Sequence, residues 1–294
     1  MGLRRIELPD GRVLALDDVG DPDGVPVVYL HGLPDSRLAR HPDDSLAERA
    51  GVRLLAVDRP GAGDSSPDPA ATLTSLGDDL GVVLDALGLG GVALLGWSSG
   101  GLAALGAATV LGPRARALGL VATVPPAEAY DDAAVVAALG PTRRPLVEMA
   151  ADAPAAEVAA EVAPYLVPQP LTWDLALEHV LEGAGEVGRR ELAGVPGAAE
   201  ALAAGLVAGV AGGIGALEQD LRLQLTPGLD LSAVQARVLL YHGGQDGVSP
   251  PEVGAWLAAR LPGAVVEVLP EAGHHLLFAL WPGLLRGLGR LAGG

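Results

Sequence analysis

Residues Val92 to Leu105 read Val-Ala-Leu-Leu-Gly-Trp-Ser-Ser-Gly-Gly-Leu-Ala-Ala-Leu. An apolar run of strand length, Val92 to Leu95, stops at Gly96, and a small-residue run of helix-forming character begins just after Ser98. Between them lies Gly96-Trp97-Ser98-Ser99-Gly100, a small-x-Ser-x-small pentapeptide on a strand-to-helix turn. A strand that turns sharply into a helix holds its corner residue in strained backbone geometry, so residues two positions to either side must have almost no side chain. Ser98 then projects its hydroxyl above the sheet at a helix N-terminus, where free N–H groups and the positive dipole end favour negative charge on a reacting carbonyl oxygen. Centring the pattern on Ser99 puts Trp97 where a small residue is required, so Ser98 is the candidate nucleophile.

The bulk properties narrow the classes. A chain of 294 residues can bury a full core, as one large domain or as a core plus an insertion. With aromatics at 3%, that core is expected to be built from Leu, Val and Ala. A formal charge of -17 argues against nucleic-acid binding, because an acidic surface repels phosphates. Without cysteine there is no disulfide, no thiol nucleophile and no Cys-based metal site, and no motif implies a metal or a cofactor. The arginines at 4 and 5 are followed by an acidic, turn-forming stretch rather than an apolar segment, so no secretory signal is expected and the cytoplasm is the expected location. The uncharged run Ala201 to Leu217 contains Gly205-x-x-x-Gly209 and reads as a packed segment, being short and Gly-rich for a membrane span.

Outward from the central stretch, the order of elements is that of an α/β protein. Arg4 to Leu8 and Arg12 to Asp17 flank the turn Pro9-Asp10-Gly11 as an antiparallel pair. Val25 to Leu30 is an apolar run without alternation, as in a strand of a parallel sheet covered on both faces, and Val52 to Val57, Leu118 to Val124, Arg237 to His242 and Ala264 to Leu269 read as further strands. Ser45-x-x-Glu48 reads as a capping box, Leu73 to Leu87 as a helix stopped by Gly88, and Pro251 to Leu261 as a helix with proline in its first turn. Asp58 and Arg59 are expected to hold their loop together rather than react.

The rhythm breaks from 127 to 232, where helical patches are separated by prolines and glycines. That span holds 16 acids against 5 arginines, a net of -11, and reads as a helical insertion lying over a core formed by 1–126 and 233–294. Within it, Gly183-Ala184-Gly185-Glu186-Val187-Gly188 matches the dinucleotide fingerprint by letter but follows a helical pattern instead of the strand that the mechanism requires.

Three residues fall just past the carboxyl ends of expected parallel strands and so share one edge of the sheet: Ser98, Asp246 in Gly243-Gly244-Gln245-Asp246, and His274 in Gly273-His274. Through these motifs, with His31-Gly32-Leu33-Pro34 and Asp58-Arg59-Pro60-Gly61-Ala62-Gly63, the chain resembles α/β-hydrolase fold serine hydrolases carrying a helical cap. The resemblance implies a mostly parallel central sheet flanked by helices. It also implies Ser98 as nucleophile, His274 as general base and then acid, Asp246 as the residue that orients it, and the backbone N–H groups of Leu33 and Ser99 as an oxyanion hole. His275 is the rival base. His31 and His242 read as structural, and His41 and His179 have no motif partners.

A serine nucleophile argues against the carboxylate-attacking dehalogenase and epoxide-hydrolase branches. Cleavage of a carboxylic ester of a small, largely apolar molecule through an acyl-enzyme is the expected reaction. Lactones, thioesters, activated amides, carbon–carbon hydrolysis and perhydrolysis stay open, as does a receptor or non-catalytic scaffold on the same fold. Trp97, Tyr130, Tyr165 and Trp173 are the expected substrate contacts. The charge of the insertion leads us to expect neutral or cationic substrates over polyanionic ones. Neither nucleic acid nor membrane is expected as a partner, and oligomeric state is not encoded in any motif.

Overall fold

The computed structural model describes residues 2–141, 143–168 and 171–293. Eight strands form one sheet: β1 (Leu3–Glu7), β2 (Val13–Gly20), β3 (Val25–Leu30), β4 (Val52–Val57), β5 (Val92–Trp97), β6 (Ala115–Val121), β7 (Arg237–Gly243) and β8 (Val265–Leu269). Their spatial order is β1-β2-β4-β3-β5-β6-β7-β8. β2 runs antiparallel to both β1 and β4, and every other pairing is parallel. The order reverses at β3, so the carboxyl ends of β3 and β5 adjoin at a topological switch point, where open α/β sheets place their ligands.

The central strands lack alternation because both faces are covered. Val28 and Leu30 of β3, Leu55 and Val57 of β4 and Leu94 of β5 join a core with α2 (Ser75–Ala86), α3 (Ser99–Leu111) and α11 (Pro251–Ala258). Val27, Tyr29, Leu54, Ala56 and Leu95 face the opposite core with α1 (Ser45–Arg49) and α12 (Leu276–Gly293). Successive side chains of a strand point to opposite faces, so a strand buried on both must be apolar throughout.

Strands β3 and β4 match the expected bounds, whereas β6 begins and ends three residues earlier than the apolar run suggested. The capping box does not form. Ser45 is the first helical residue rather than the cap, and its N–H donates to Asp43 Oδ1 at 3.0 Å.

Between β6 and β7 lie α4 (Ala133–Ala138), α5 (Arg144–Asp152), α6 (Ala155–Val162), α7 (Trp173–Gly183), α8 (Gly185–Ala193), α9 (Ala198–Gly209) and α10 (Gly215–Gln224), with no strand among the described residues. They enclose a small core of their own, including Val158, Ala176, Leu206, Leu217 and Leu221. The two ends of the segment are tied: Glu128 Oε1 accepts from the N–H groups of Gly228 at 2.6 Å and Leu229 at 3.0 Å.

The run Ala201 to Leu217 is broken between α9 and α10. Among the described residues no single helix is long and apolar enough to cross a membrane. The fingerprint-like stretch Gly183 to Gly188 is the junction of α7 and α8, with no strand before it.

Candidate active site

The corner after β5 shows why the pentapeptide has its composition. Ser98 sits at φ 56°, ψ -124°, and with Ala122 it is one of two non-glycine residues at positive φ among the described residues. A β-carbon on Gly96 would lie 2.3 Å from the Gly100 carbonyl oxygen, and one on Gly100 would lie 2.1 Å from the Leu30 carbonyl oxygen. Neither can be relieved without moving backbone. A β-carbon on the neighbouring Gly101 would run into the Thr123 side chain. The turn therefore closes only with these glycines, and it presents Ser98 at the N-terminus of α3.

From that position Ser98 Oγ lies 3.0 Å from His274 Nε2, and His274 Nδ1 lies 2.8 Å from Asp246 Oδ2. These three side chains come from loops after β5, β7 and β8. Asp246 Oδ1 accepts from the N–H groups of Val248 at 2.8 Å and Ser249 at 2.9 Å. Burial pushes the Asp246 carboxyl up, but the His274 ring and these two donors together outweigh it and hold it below the usual carboxylate range. An ionised Asp246 accepts the Nδ1–H, which leaves Nε2 free to take a proton from Ser98.

The loop holding His274 is fixed from three sides. Glu191 of α8 accepts from the Gly273 N–H through Oε1 at 2.7 Å and from the His275 N–H through Oε2 at 3.0 Å. Trp97 Nε1 donates to the His274 carbonyl oxygen at 2.9 Å. No motif announced Glu191, because its partners are backbone groups more than eighty residues away.

Among the described residues, the Leu33 and Ser99 N–H groups donate to no protein acceptor. Arg59 braces both segments, with Nη2 donating to the Gly32 carbonyl oxygen at 3.0 Å and to Ser99 Oγ at 3.1 Å. Its other arm pairs with Asp220 of α10. Asp58 accepts from the Arg37 N–H at 2.7 Å and the Asp64 N–H at 2.9 Å, so Asp58 and Arg59 hold their loops as expected.

His31 is also structural. Its Nδ1 donates to the Gly32 carbonyl oxygen at 2.7 Å and its Nε2 accepts from the Arg59 N–H at 3.1 Å. Burial and the nearby Arg59 push it well below the usual imidazole range, which keeps it neutral. His275 is half-buried with its ring packed against Trp97 and Gly188, is pushed down to about 3 by desolvation, and makes no hydrogen bond through Nδ1. The rival base thus does not reach Ser98. His242 donates to the Ser249 carbonyl oxygen and is buried.

A cavity of about 450 Å³ opens above Ser98, walled by Leu33, Asp35, Trp97, Arg143, Leu206 and His274 among others. Of the four expected substrate contacts only Trp97 lines it. Tyr130 stands behind the wall, where its hydroxyl accepts from Arg143 Nη2 at 2.8 Å. Tyr165 is 83% exposed and Trp173 47% exposed. The helical pattern located these aromatics on helices and turns but did not say which face met the cavity.

Wall residues that escaped sequence reasoning include Asp35, Arg143 and His179, the last set aside for want of a motif partner. Burial pushes the Asp35 carboxyl up to about 7, against the opposing pull of Arg59 and His274.

The family described as alpha/beta hydrolase fold matches residues 25–279 of the chain. The dihydrolipoyllysine-residue acetyltransferase component of the acetoin cleaving system of Pseudomonas putida is 30% identical over 273 residues, covering 90% of this chain. The chain spans 62% of the length of that protein. A pimeloyl-acyl-carrier-protein methyl ester esterase of Neisseria meningitidis serogroup B is 30% identical over 263 residues, covering 86% of this chain and 87% of that one. The crystal structure of the esterase RhEst1 from Rhodococcus sp. ECU1013 superposes with a TM-score of 0.66 at 22% identity, over 99% of this chain and 100% of that one.

Proposed function

The chain belongs to the alpha/beta hydrolase fold family, and from that membership we propose that it is a serine esterase whose nucleophile, base and acid are Ser98, His274 and Asp246. The observation that carries this reading is the continuous pair of hydrogen bonds, 3.0 Å and 2.8 Å, running from Ser98 Oγ through His274 to Asp246. The unpartnered Leu33 and Ser99 N–H groups beside the strained serine support their role as the oxyanion hole. The 30% identity to a methyl ester esterase along most of both chains supports ester cleavage.

In this mechanism Ser98 Oγ attacks the ester carbonyl carbon while His274 Nε2 takes its proton, and Asp246 stabilises the resulting imidazolium. The carbonyl oxygen, now an anion, is held by the two amides. Collapse breaks the acyl C–O bond, and His274 returns the proton to the departing alcohol. Water, deprotonated by His274, then attacks the acyl-enzyme and releases the carboxylic acid and free Ser98. The helices over 127–232 act as a cap that walls the cavity above the serine, and the mainly apolar wall suits a small substrate with an apolar body.

Labelling with a fluorophosphonate probe tests the reading. Stoichiometric labelling of the native protein, abolished in folded Ser98→Ala, is the expected result. A folded native protein that takes no label would overturn it and favour a receptor or scaffold.

A further inference from the structure

Four arginines are more than nine-tenths buried: Arg37, Arg40, Arg59 and Arg143. Three of them are neutralised inside the protein. Arg37 pairs with Asp17, Asp58 and Asp64, Arg40 with Asp17 and Asp44, and Arg59 with Asp220. Arg143 differs. Among the described residues no carboxylate lies within salt-bridge distance of it, its Nε makes no hydrogen bond, and Nη2 reaches only the neutral Tyr130 hydroxyl. This occurs in a chain with 36 acids for 19 arginines, where a partner is easily supplied. An isolated buried guanidinium is costly, since it has lost water and gained no counter-ion.

Arg143 also lies on the wall of the cavity that contains Ser98 and His274. Resting on the esterase reading above, we propose that the substrate is an ester bearing a second, free carboxylate, and that Arg143 is the residue that binds that carboxylate. The planar fork of a guanidinium matches the two oxygens of a carboxylate, and the charge-assisted pair supplies the missing counter-ion. A single cation suits a monoanion. A dianion such as a phosphate monoester would bring a surplus negative charge toward the carboxyl of Asp35 on the same cavity. The insertion's net of -11 leads to an expectation of neutral or cationic substrates; a close-range charge-assisted pair outweighs that distributed and screened charge.

Matched substrates test this at 0.15 M salt: the 4-nitrophenyl ester of hexanoic acid and the mono-4-nitrophenyl ester of adipic acid, equal in acyl length and different in the terminal carboxylate. The native enzyme is expected to favour the adipate ester in kcat/KM by roughly 10- to 100-fold, the range for a charge-assisted contact. Arg143→Met should bring the ratio toward unity, mainly by raising KM for the adipate ester, with Arg143→Lys in between. Should the Met variant fail to fold, Arg143→Gln serves in its place, and the native ratio needs no variant.

Equal kcat/KM for the two esters, or a preference for hexanoate, would overturn the proposal. So would a loss in the variants that is the same for both esters. Binding of monomethyl adipate to Ser98→Ala by calorimetry separates this from the catalytic reading. Binding weakened at least 10-fold by adding Arg143→Met supports the anion site even if no ester is hydrolysed, and binding indifferent to Arg143 contradicts it.

Discussion

Asp35 shows how one residue can carry a cost for the site it lines. Its carboxyl, fully buried on the cavity wall, titrates at about 7 instead of the usual 3.8. A carboxyl whose folded pKa lies above its unfolded value binds more protons in the folded state between those two pH values, so its contribution to stability falls as pH rises through that window. Below about pH 4 the group is protonated in both states and the cost vanishes. Above pH 7 the cost is fully present, on the order of a few kcal/mol. Asp35→Asn keeps the shape without the ionisation and is therefore predicted to raise the melting temperature at pH 8 by several degrees, with the gain shrinking to nothing as the pH approaches 4. A gain that is the same at pH 4 and pH 8 would show that Asp35 is not ionising in a buried site.

At the level of elements, four glycines of the inserted segment are contact points with the loops that carry the site. A β-carbon on Gly205 would meet Ala39, and one on Gly209 would lie 2.2 Å from the Pro34 carbonyl oxygen, so α9 docks closely on the loop holding Leu33 and Asp35. On Gly188 it would lie 2.7 Å from His275 Nδ1, which lets α8 approach the histidine loop, and on Gly140 it would lie 2.3 Å from the Gly247 carbonyl oxygen beside Asp246. The pattern Gly205-x-x-x-Gly209 thus serves helix-to-loop packing. Glu191 adds a polar clamp to that contact, gripping the backbone on both sides of His274. Holding a base to within fractions of an ångström matters because a displacement near 1 Å can cost about 100-fold in rate. Glu191→Ala is predicted to lower kcat by roughly 10- to 100-fold with little change in KM, and Glu191→Gln, which retains one acceptor oxygen, to restore part of it. A variant that loses thermal stability while keeping kcat would reduce Glu191 to a purely structural contact.

For the molecule as a whole, what the sequence discloses follows the range of the forces involved. The corner at Ser98 is a local steric problem, and Gly96 and Gly100 reveal it without any knowledge of the remainder of the chain. The buried strands are equally visible, since a strand covered on both faces is apolar along its length, as Val25–Leu30 is throughout and Val52–Val57 is apart from Arg53. Tyr165 and Trp173 stand off the cavity wall, and the sequence does not tell this because neither the turn Ala163–Tyr165 nor the start of α7 declares which side meets a cavity. Glu191, Asp35 and Arg143 were invisible for a related reason: their significance lies in partners, or missing partners, contributed by segments far away in the chain. The same dependence on distant segments defines the proposed triad, whose members stand at 98, 246 and 274 and meet only because β5, β7 and β8 end along one edge of the sheet.

Groups that act as one catalytic unit are strongly non-additive on removal. The most direct measurement is therefore the hydrolysis of one 4-nitrophenyl ester by Ser98→Ala, His274→Ala and the double variant, each verified as folded. Each single variant is predicted to lose roughly 10⁵-fold or more in kcat, and the double variant to be no slower than either. Substantial turnover by Ser98→Ala, or a double loss equal to the product of the two single losses, would contradict a shared catalytic unit at this site.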